Sequence, residues 1–135
     1  MRNLIGFKTA GNLVLAALAL VAAFHVLVLV GVFPADIVWG GQVSGAETAV
    51  YETVALVEAL AFMIIIATRA GYLRRARTNT FAAAGTWFIF FYLLLNTFLN
   101  LISGSTAEKL VFAPITLAMA LLTYRLAIEE SPRPA

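Results

Sequence analysis

The stretch that decides the fold is "LVLAALALVAAFHVLVLVGVF", residues 13–33. Its one ionisable residue is His25, and the others are aliphatic residues, glycine and phenylalanine. An α-helix needs about 20 mostly apolar residues to cross the hydrocarbon core of a bilayer. We therefore predict a membrane-spanning helix over residues 9–33. Pro34 is the expected stop, because a proline disfavours helical geometry in the residue before it.

The position of this stretch near the N-terminus raises a cleaved signal peptide as an alternative. The apolar region of a signal peptide is only about 7–15 residues long and is followed by a small-x-small cleavage site. The run from Leu13 to Phe33 is longer than that. We therefore expect a first helix that is retained.

The rest of the chain has the same character. Hydrophobic residues make up 62% of the 135 residues and charged residues 12%, with a mean hydropathy of +0.95. Soluble domains are about 45–50% apolar and about 25% charged. Three more stretches are long enough to span a bilayer, at residues 45–68, 80–102 and 106–128, with Gly104 placed to end the third helix. The prediction is one all-α domain, residues 1–135: an integral membrane four-helix bundle.

Two counts exclude whole classes of function. The chain has no cysteine, which excludes disulfides, thiolate metal sites and thiol redox chemistry. The net charge of +2 is small and follows the membrane topology, so we expect no nucleic-acid partner.

The basic residues lie on one side of the predicted spans. Those on this side are Arg2, Lys8, Arg69, Arg74, Arg75, Arg77, Arg125 and Arg133. The other two loops hold one basic residue, Lys109, together with Asp36, Glu47 and Glu108. The positive-inside rule places both termini and the arginine loop in the cytoplasm of a bacterial-type inner (plasma) membrane. The arginines are then explained by topology and by attraction to anionic lipid, with a specific phosphate site as the alternative.

The segment "FPADIVWGGQ", residues 33–42, is then an outer loop, longer than two adjacent helices need. We hypothesise that it folds over the bundle as a lid, with Trp39 as an apolar plug and Asp36 or Gln42 as a polar contact. Alternatively, Trp39 lies in the headgroup layer as an anchor.

Two capping boxes are expected at helix starts on this side. In each, a serine side chain accepts from the third helical N–H, and a glutamate reaches back to the N–H of the serine. Ser44 with Glu47 fits this pattern, and so does Ser105 with Glu108. Both glutamates are therefore interpreted as structural.

Ionisable residues lie deep in two of the predicted helices. At about 1.5 Å per residue, His25 and Glu52 lie roughly 10–12 Å from the outer ends of their helices, and Glu58 lies roughly 20 Å deep. A charged group at mid-membrane costs about 2.5–3.5 kcal/mol and by default indicates a functional site. Tyr51 and Glu58 are nearly in line along one helix face, whereas Glu52 points about a third of a turn away.

The other two helices add polar groups at similar depth. Asn96 and Asn100 share one face, one turn apart. Pro114 leaves the carbonyl of Leu110 without its helical donor, and Thr116 follows it. Polarity is therefore concentrated in the outer half of the bundle, while the inner half is predicted to be dry.

These residues predict a polar pocket that opens outward and binds or transports a small polar or cationic ligand, or protons. The candidate site residues are Glu58, Glu52, His25, Asn96, Asn100, Tyr51, Trp39 and Asp36. A hydrogen-bond network of purely structural role remains open, as do a Glu–His–Glu metal site and general acid–base chemistry. With no HExxH, paired aspartates or placed serine nucleophile, we expect a binding protein rather than an enzyme, and no particular cofactor is indicated.

A different class of function is the second hypothesis. Residues 85–98, "GTWFIFFYLLLNTF", are aromatic and apolar on all sides, as in a helix buried among other proteins. The chain would then be a non-enzymatic accessory subunit of a larger membrane complex, or part of a homo-oligomer.

Overall fold

Four long helices make up the protein. The computed structural model describes residues 5–34, 37–42, 45–73 and 80–129, and within these ranges it contains no strand. The helices are α1 (Phe7–Leu29), α2 (Ala46–Arg69), α3 (Thr80–Ile102) and α4 (Ala113–Ala127), the last preceded by a π-helical turn, Glu108–Phe112. With that turn included in the fourth, all four are long and apolar enough to span a membrane. The prediction of an all-α chain with four helices long and apolar enough to cross a membrane is confirmed.

The helices run alternately up and down and pack as a ring: α1 on α2, α2 on α3, α3 on α4, and α4 on α1. His25 of α1 meets Glu52 of α2 near one end, and Gly11 of α1 approaches Ala70, just after α2, near the other. The first end carries the connections α1–α2 and α3–α4 and is called the Trp39 end. The opposite end, where α1 begins and α4 finishes, is called the termini end.

The first helix ends earlier than the sequence predicted, and Pro34 does not stop it. Gly31 has φ +77°, and its N–H donates to the carbonyl of Val28 at 3.0 Å. The N–H of Val32 donates to Leu27 at 2.8 Å. This pair of bonds is the Schellman motif, which requires a left-handed residue that glycine adopts without strain. Gly31 therefore ends α1 at Leu29, whereas α3 has the predicted bounds, Thr80–Ile102.

An apolar core fills the termini half of the bundle. Every helix contributes to it, with Val14 and Leu18 from α1, Phe62 and Ile66 from α2, Ile89 and Leu93 from α3, and Met119, Ala120 and Leu126 from α4. Helix α2 also comes close to α3 in this half, because a Cβ added at Gly85 would lie 2.9 Å from Cγ2 of Ile65. The close contact fixes α2 against α3 below the polar residues.

Two arginines tie the termini end together. Arg69 at the end of α2 donates from Nε to the carbonyl of Leu126 at 3.1 Å. Arg125 is buried, pairs with Glu129, and donates from Nε to the carbonyl of Ile5 at 3.1 Å. Arg69 thus binds carbonyls at the end of α4, where a cation is favourable. The sequence had explained Arg69 by topology and attraction to anionic lipid, with a phosphate site as the alternative, and had not predicted this contact. Arg2, Arg74, Arg75, Arg77 and Arg133 lie outside the described residues.

Candidate functional site

Glu52 is fully buried between α1 and the α1–α2 connection. Its exposed fraction is 0%, and one carboxylate oxygen accepts a hydrogen bond from Nε1 of Trp39 at 2.6 Å. The other oxygen lies 2.5 Å from Nδ1 of His25, whose side chain is 13% exposed. A buried carboxylate is tolerated only when such partners replace water. We call Glu52, His25 and Trp39 the Glu52 cluster.

The short helical turn Trp39–Gly41 delivers the indole to Glu52. Trp39 has φ +56°, a left-handed conformation that bulky residues seldom adopt, and Gly40 follows with φ +66°. The N–H of Gly40 donates to both carboxylate oxygens of Glu108, at 3.1 and 3.2 Å, and Val38 beside it is buried. Two glutamates on different helical segments therefore hold one turn, and their hydrogen bonds offset its backbone strain.

Glu108 does not complete the capping box that the sequence predicted. Its N–H donates to Oγ of Ser105 at 3.4 Å, so the serine does cap the helix start. Its carboxylate, however, bonds Gly40 and the hydroxyl of Ser103, and the N–H of Ser105 donates to Ser103 Oγ at 2.9 Å instead. The prediction was wrong because it considered only neighbouring residues. The Glu108 carboxylate instead accepts from a backbone N–H 68 positions away in the chain.

The π-helical turn carries Glu108 and ends just before Pro114. Pro114 has no N–H to donate to the carbonyl of Leu110, so the regular ladder is interrupted there. Turns of this kind are found mostly as single interruptions at functional positions. Phe112 in the turn packs on Phe24 of α1, with ring centroids 5.3 Å apart. Pro114 thus marks a local change in helix geometry next to a buried acid.

A second set of polar residues lies between α2 and α3. The hydroxyl of Tyr92 donates to Oε2 of Glu58 at 2.7 Å and also interacts with the side chain of Asn96. Nδ2 of Asn100 donates to Oδ1 of Asn96 at 3.0 Å. We call these four residues the Glu58 file, because they run from the middle of the bundle to the Trp39 end.

Glu58 differs from Glu52 in its partners. It is partly exposed, and in the described part of the chain no lysine, arginine or histidine lies within ion-pair distance of it. Its one described hydrogen-bond donor is Tyr92. This carboxylate, at the middle of α2, therefore retains acceptor positions for which the described residues supply no donor.

The structure places the predicted site residues in two groups rather than one. His25, Glu52 and Trp39 lie together, and the exposed Tyr51 ring contacts Trp39 with centroids 5.3 Å apart. The remaining predicted residues, Glu58, Asn96 and Asn100, belong to the Glu58 file. Asp36 and Ser44 lie outside the described residues, and Gln42 and Glu47 are exposed.

Sequence reasoning missed Tyr92. Residues 92, 96 and 100 follow one another at helical spacing on one face, and that spacing was the signal that could have identified the tyrosine. Thr97 was also missed; its hydroxyl lies 2.9 Å from that of Thr116 and joins α3 to α4.

Other kinds of site find less support. Among the described residues no three histidine, aspartate or glutamate side chains are grouped to hold a metal ion, and Glu58 lies outside the His25–Glu52 pair. A shallow surface depression between residues 28–34 and 45–49 contains no member of either polar group.

Comparisons of the chain with protein-family models, with curated proteins and with solved structures found no match. The chemistry of the site is therefore argued from its geometry. The carboxylate of the Glu52 cluster is buried and hydrogen-bonded, whereas the carboxylate of the Glu58 file is partly exposed.

Proposed function

We propose that this multi-pass membrane protein reversibly binds a proton or a small organic cation at Glu58. The observation that carries the proposal is the partly exposed carboxylate with Tyr92 as its one described donor and no described basic partner. A carboxylate in a low-dielectric interior favours either protonation or an opposite charge nearby. Glu58 is then the binding group, and Tyr92 orients it.

The Asn96 and Asn100 side chains supply a route to this carboxylate. Their amides are hydrogen-bonded to each other and continue from Tyr92 toward the end of α3. The amides do not take up or release protons themselves, so protons would move on water molecules hydrogen-bonded to them. We further propose that both termini are cytoplasmic in a bacterial-type inner membrane, so that this route leads from the outside.

The test is an infrared pH titration of the protein in lipid nanodiscs. We expect a carbonyl-stretch band of a protonated carboxylic acid that is absent from Glu58→Gln and retained in Glu47→Gln, which removes an exposed glutamate from the same helix. Added n-butylammonium should shift the titration midpoint to lower pH, because the cation competes with the proton. Spectra of Glu58→Gln that match the wild type in both conditions would assign Glu58 to structure.

The alternative function is that of an accessory subunit in a larger membrane complex. It is supported by the same partial exposure of Glu58. A basic residue on a neighbouring membrane helix would neutralise Glu58 as well as a ligand would. In that case the protein solubilised in mild detergent would migrate in a complex of fixed mass, and Glu58→Gln would dissociate it while Glu47→Gln would not.

A further inference from the structure

We propose that the ligand is an amphiphilic amine that reaches Glu58 from the bilayer, along the exposed surface where α2 meets α3, and leaves its apolar tail against lipid. This inference rests on the proposed function, because it names the ligand class of that same carboxylate. The ammonium group would donate to the free acceptor positions of Glu58, beside the hydroxyl of Tyr92.

The surroundings of Glu58 are apolar and face outward. Val54, one turn before Glu58 on α2, is 61% exposed. On α3, Phe88 and Leu95 flank Tyr92 and are 60% and 57% exposed. Glu58 is partly exposed between these side chains. A polar atom with apolar, lipid-facing neighbours suits a ligand that carries one charge and a long apolar part.

Access along the bundle axis is restricted. The turn at Trp39 is held down by Glu52 and Glu108, and Val38 beside it is buried. Along α3, the amides of Asn96 and Asn100 bond each other at 3.0 Å and fill the route beyond Tyr92. The route along Asn96 and Asn100 suits protons. A bulky ligand would instead approach Glu58 laterally, from the bilayer.

Aromatic rings next to the carboxylate favour an organic cation over a metal ion. Phe62, Phe88 and Tyr92 contact one another, with ring centroids 5.2–6.3 Å apart. The face of an aromatic ring attracts an ammonium group, and more strongly where water is excluded. Calcium takes six to eight oxygen ligands, commonly from several carboxylates, and magnesium requires octahedral oxygen geometry. One carboxylate, one phenol and two amides match an amine better.

The experiment compares three probes on the protein in nanodiscs, with empty nanodiscs subtracted. Dodecylammonium carries both charge and tail, n-butylammonium carries the charge with a short chain, and dodecanol carries the tail alone. We expect saturable binding of dodecylammonium that Glu58→Gln weakens about tenfold or more, since a hydrogen bond to a charged group contributes about 1.5–3 kcal/mol. Dodecanol should show no saturable binding. Tyr92→Phe, which keeps the ring, should weaken dodecylammonium about threefold and serves if Glu58→Gln fails to fold.

A second pair of variants tests the lateral route. Leu95→Trp places a larger side chain on the exposed surface beside Tyr92 and should weaken dodecylammonium severalfold while leaving the n-butylammonium shift in place. Leu121→Trp, at an exposed position on α4, is the matched control and should change neither.

The outcomes separate the two proposals. Glu58-dependent binding of n-butylammonium together with dodecylammonium that behaves like dodecanol would overturn the amphiphilic ligand and leave the proposed function standing. Loss of Glu58 dependence for protons and for both amines would overturn both proposals. Equal weakening of both amines by Leu95→Trp would overturn the lateral route.

Discussion

The two glutamates of α2 differ in how a carboxylate is accommodated inside the bundle. Glu52 receives the Trp39 indole and faces His25, so its burial is matched by hydrogen bonds. Glu58 has Tyr92 alone as a described donor and is partly exposed. A carboxylate whose acceptor positions are filled by donors of the protein stabilises the fold, whereas one with acceptor positions left over is available to a ligand. From the sequence we singled out both, and the partners distinguish them.

Replacing Trp39 tests the structural part of this distinction. Trp39→Phe removes the indole N–H and leaves the buried Glu52 one donor short. We expect the free energy of unfolding, measured by titration with sodium dodecyl sulfate, to fall by about 1–3 kcal/mol. The matched control is Trp87→Phe, at a partly exposed ring whose described contacts are aromatic. Equal free energies of unfolding for Trp39→Phe and Trp87→Phe would show that the hydrogen bond from Trp39 to Glu52 does not contribute to stability.

The level of a residue along the bundle was predictable from the sequence, whereas its contact partner was not. Counting residues along a helix correctly brings His25 and Glu52 to a common level, because the rise per residue is fixed. The helix face that meets a neighbour depends on how each helix is rotated, which no single span encodes. Tyr51 and Glu58 therefore share one face in the sequence but contact different partners, Trp39 and Tyr92.

The contact between α2 and α3 determines the environment of Glu58. The two helices approach closely where Gly85 faces Ile65, and at Glu58 they are joined by the hydrogen bond from Tyr92, with Glu58 partly exposed. A larger residue at position 85 must push Ile65 away, because the added Cβ alone lies 2.9 Å from it. The contact of Gly85 with Ile65 thus limits how large a side chain position 85 accepts between α2 and α3.

A double-mutant cycle tests that contact. Gly85→Leu should destabilise the protein by about 1–3 kcal/mol through overpacking. In an Ile65→Ala background the same substitution should have a smaller effect, because the opposing side chain has been shortened. A coupling energy of about 0.5 kcal/mol or more in the cycle would support the contact, and additive effects would contradict it. The measurement is the free energy of unfolding of the four proteins.

The ends of the elements show where local sequence rules suffice. Thr80–Ile102 was predicted as found, because its hydrophobic run is bounded on both sides by polar residues and glycine. The first helix was predicted too long, since hydropathy does not register the left-handed conformation of Gly31. Only half of the capping box predicted for Ser105 and Glu108 is formed, because the Glu108 carboxylate accepts from the distant backbone N–H of Gly40.

The whole molecule is a four-helix bundle with a dry half and a polar half, and its orientation remains a prediction. The chain has no cysteine, so a single introduced cysteine reports its own location. Gln42→Cys at the Trp39 end should react with an impermeant thiol reagent in intact cells. Leu73→Cys, exposed near the end of α2, should react only after the cells are permeabilised. The reverse pattern would invert the bundle and point the Glu58 file toward the cytoplasm.

The attachment of Gly40 to Glu108 has a consequence for biogenesis. The turn at Trp39 connects α1 and α2, whereas Glu108 lies just before α4 and is synthesised after them. A newly inserted α1–α2 hairpin contains Glu52 and the indole, but the backbone N–H of Gly40 has no acceptor until the second hairpin has entered the bilayer. We therefore expect the turn to be seated only after the α3–α4 hairpin has inserted.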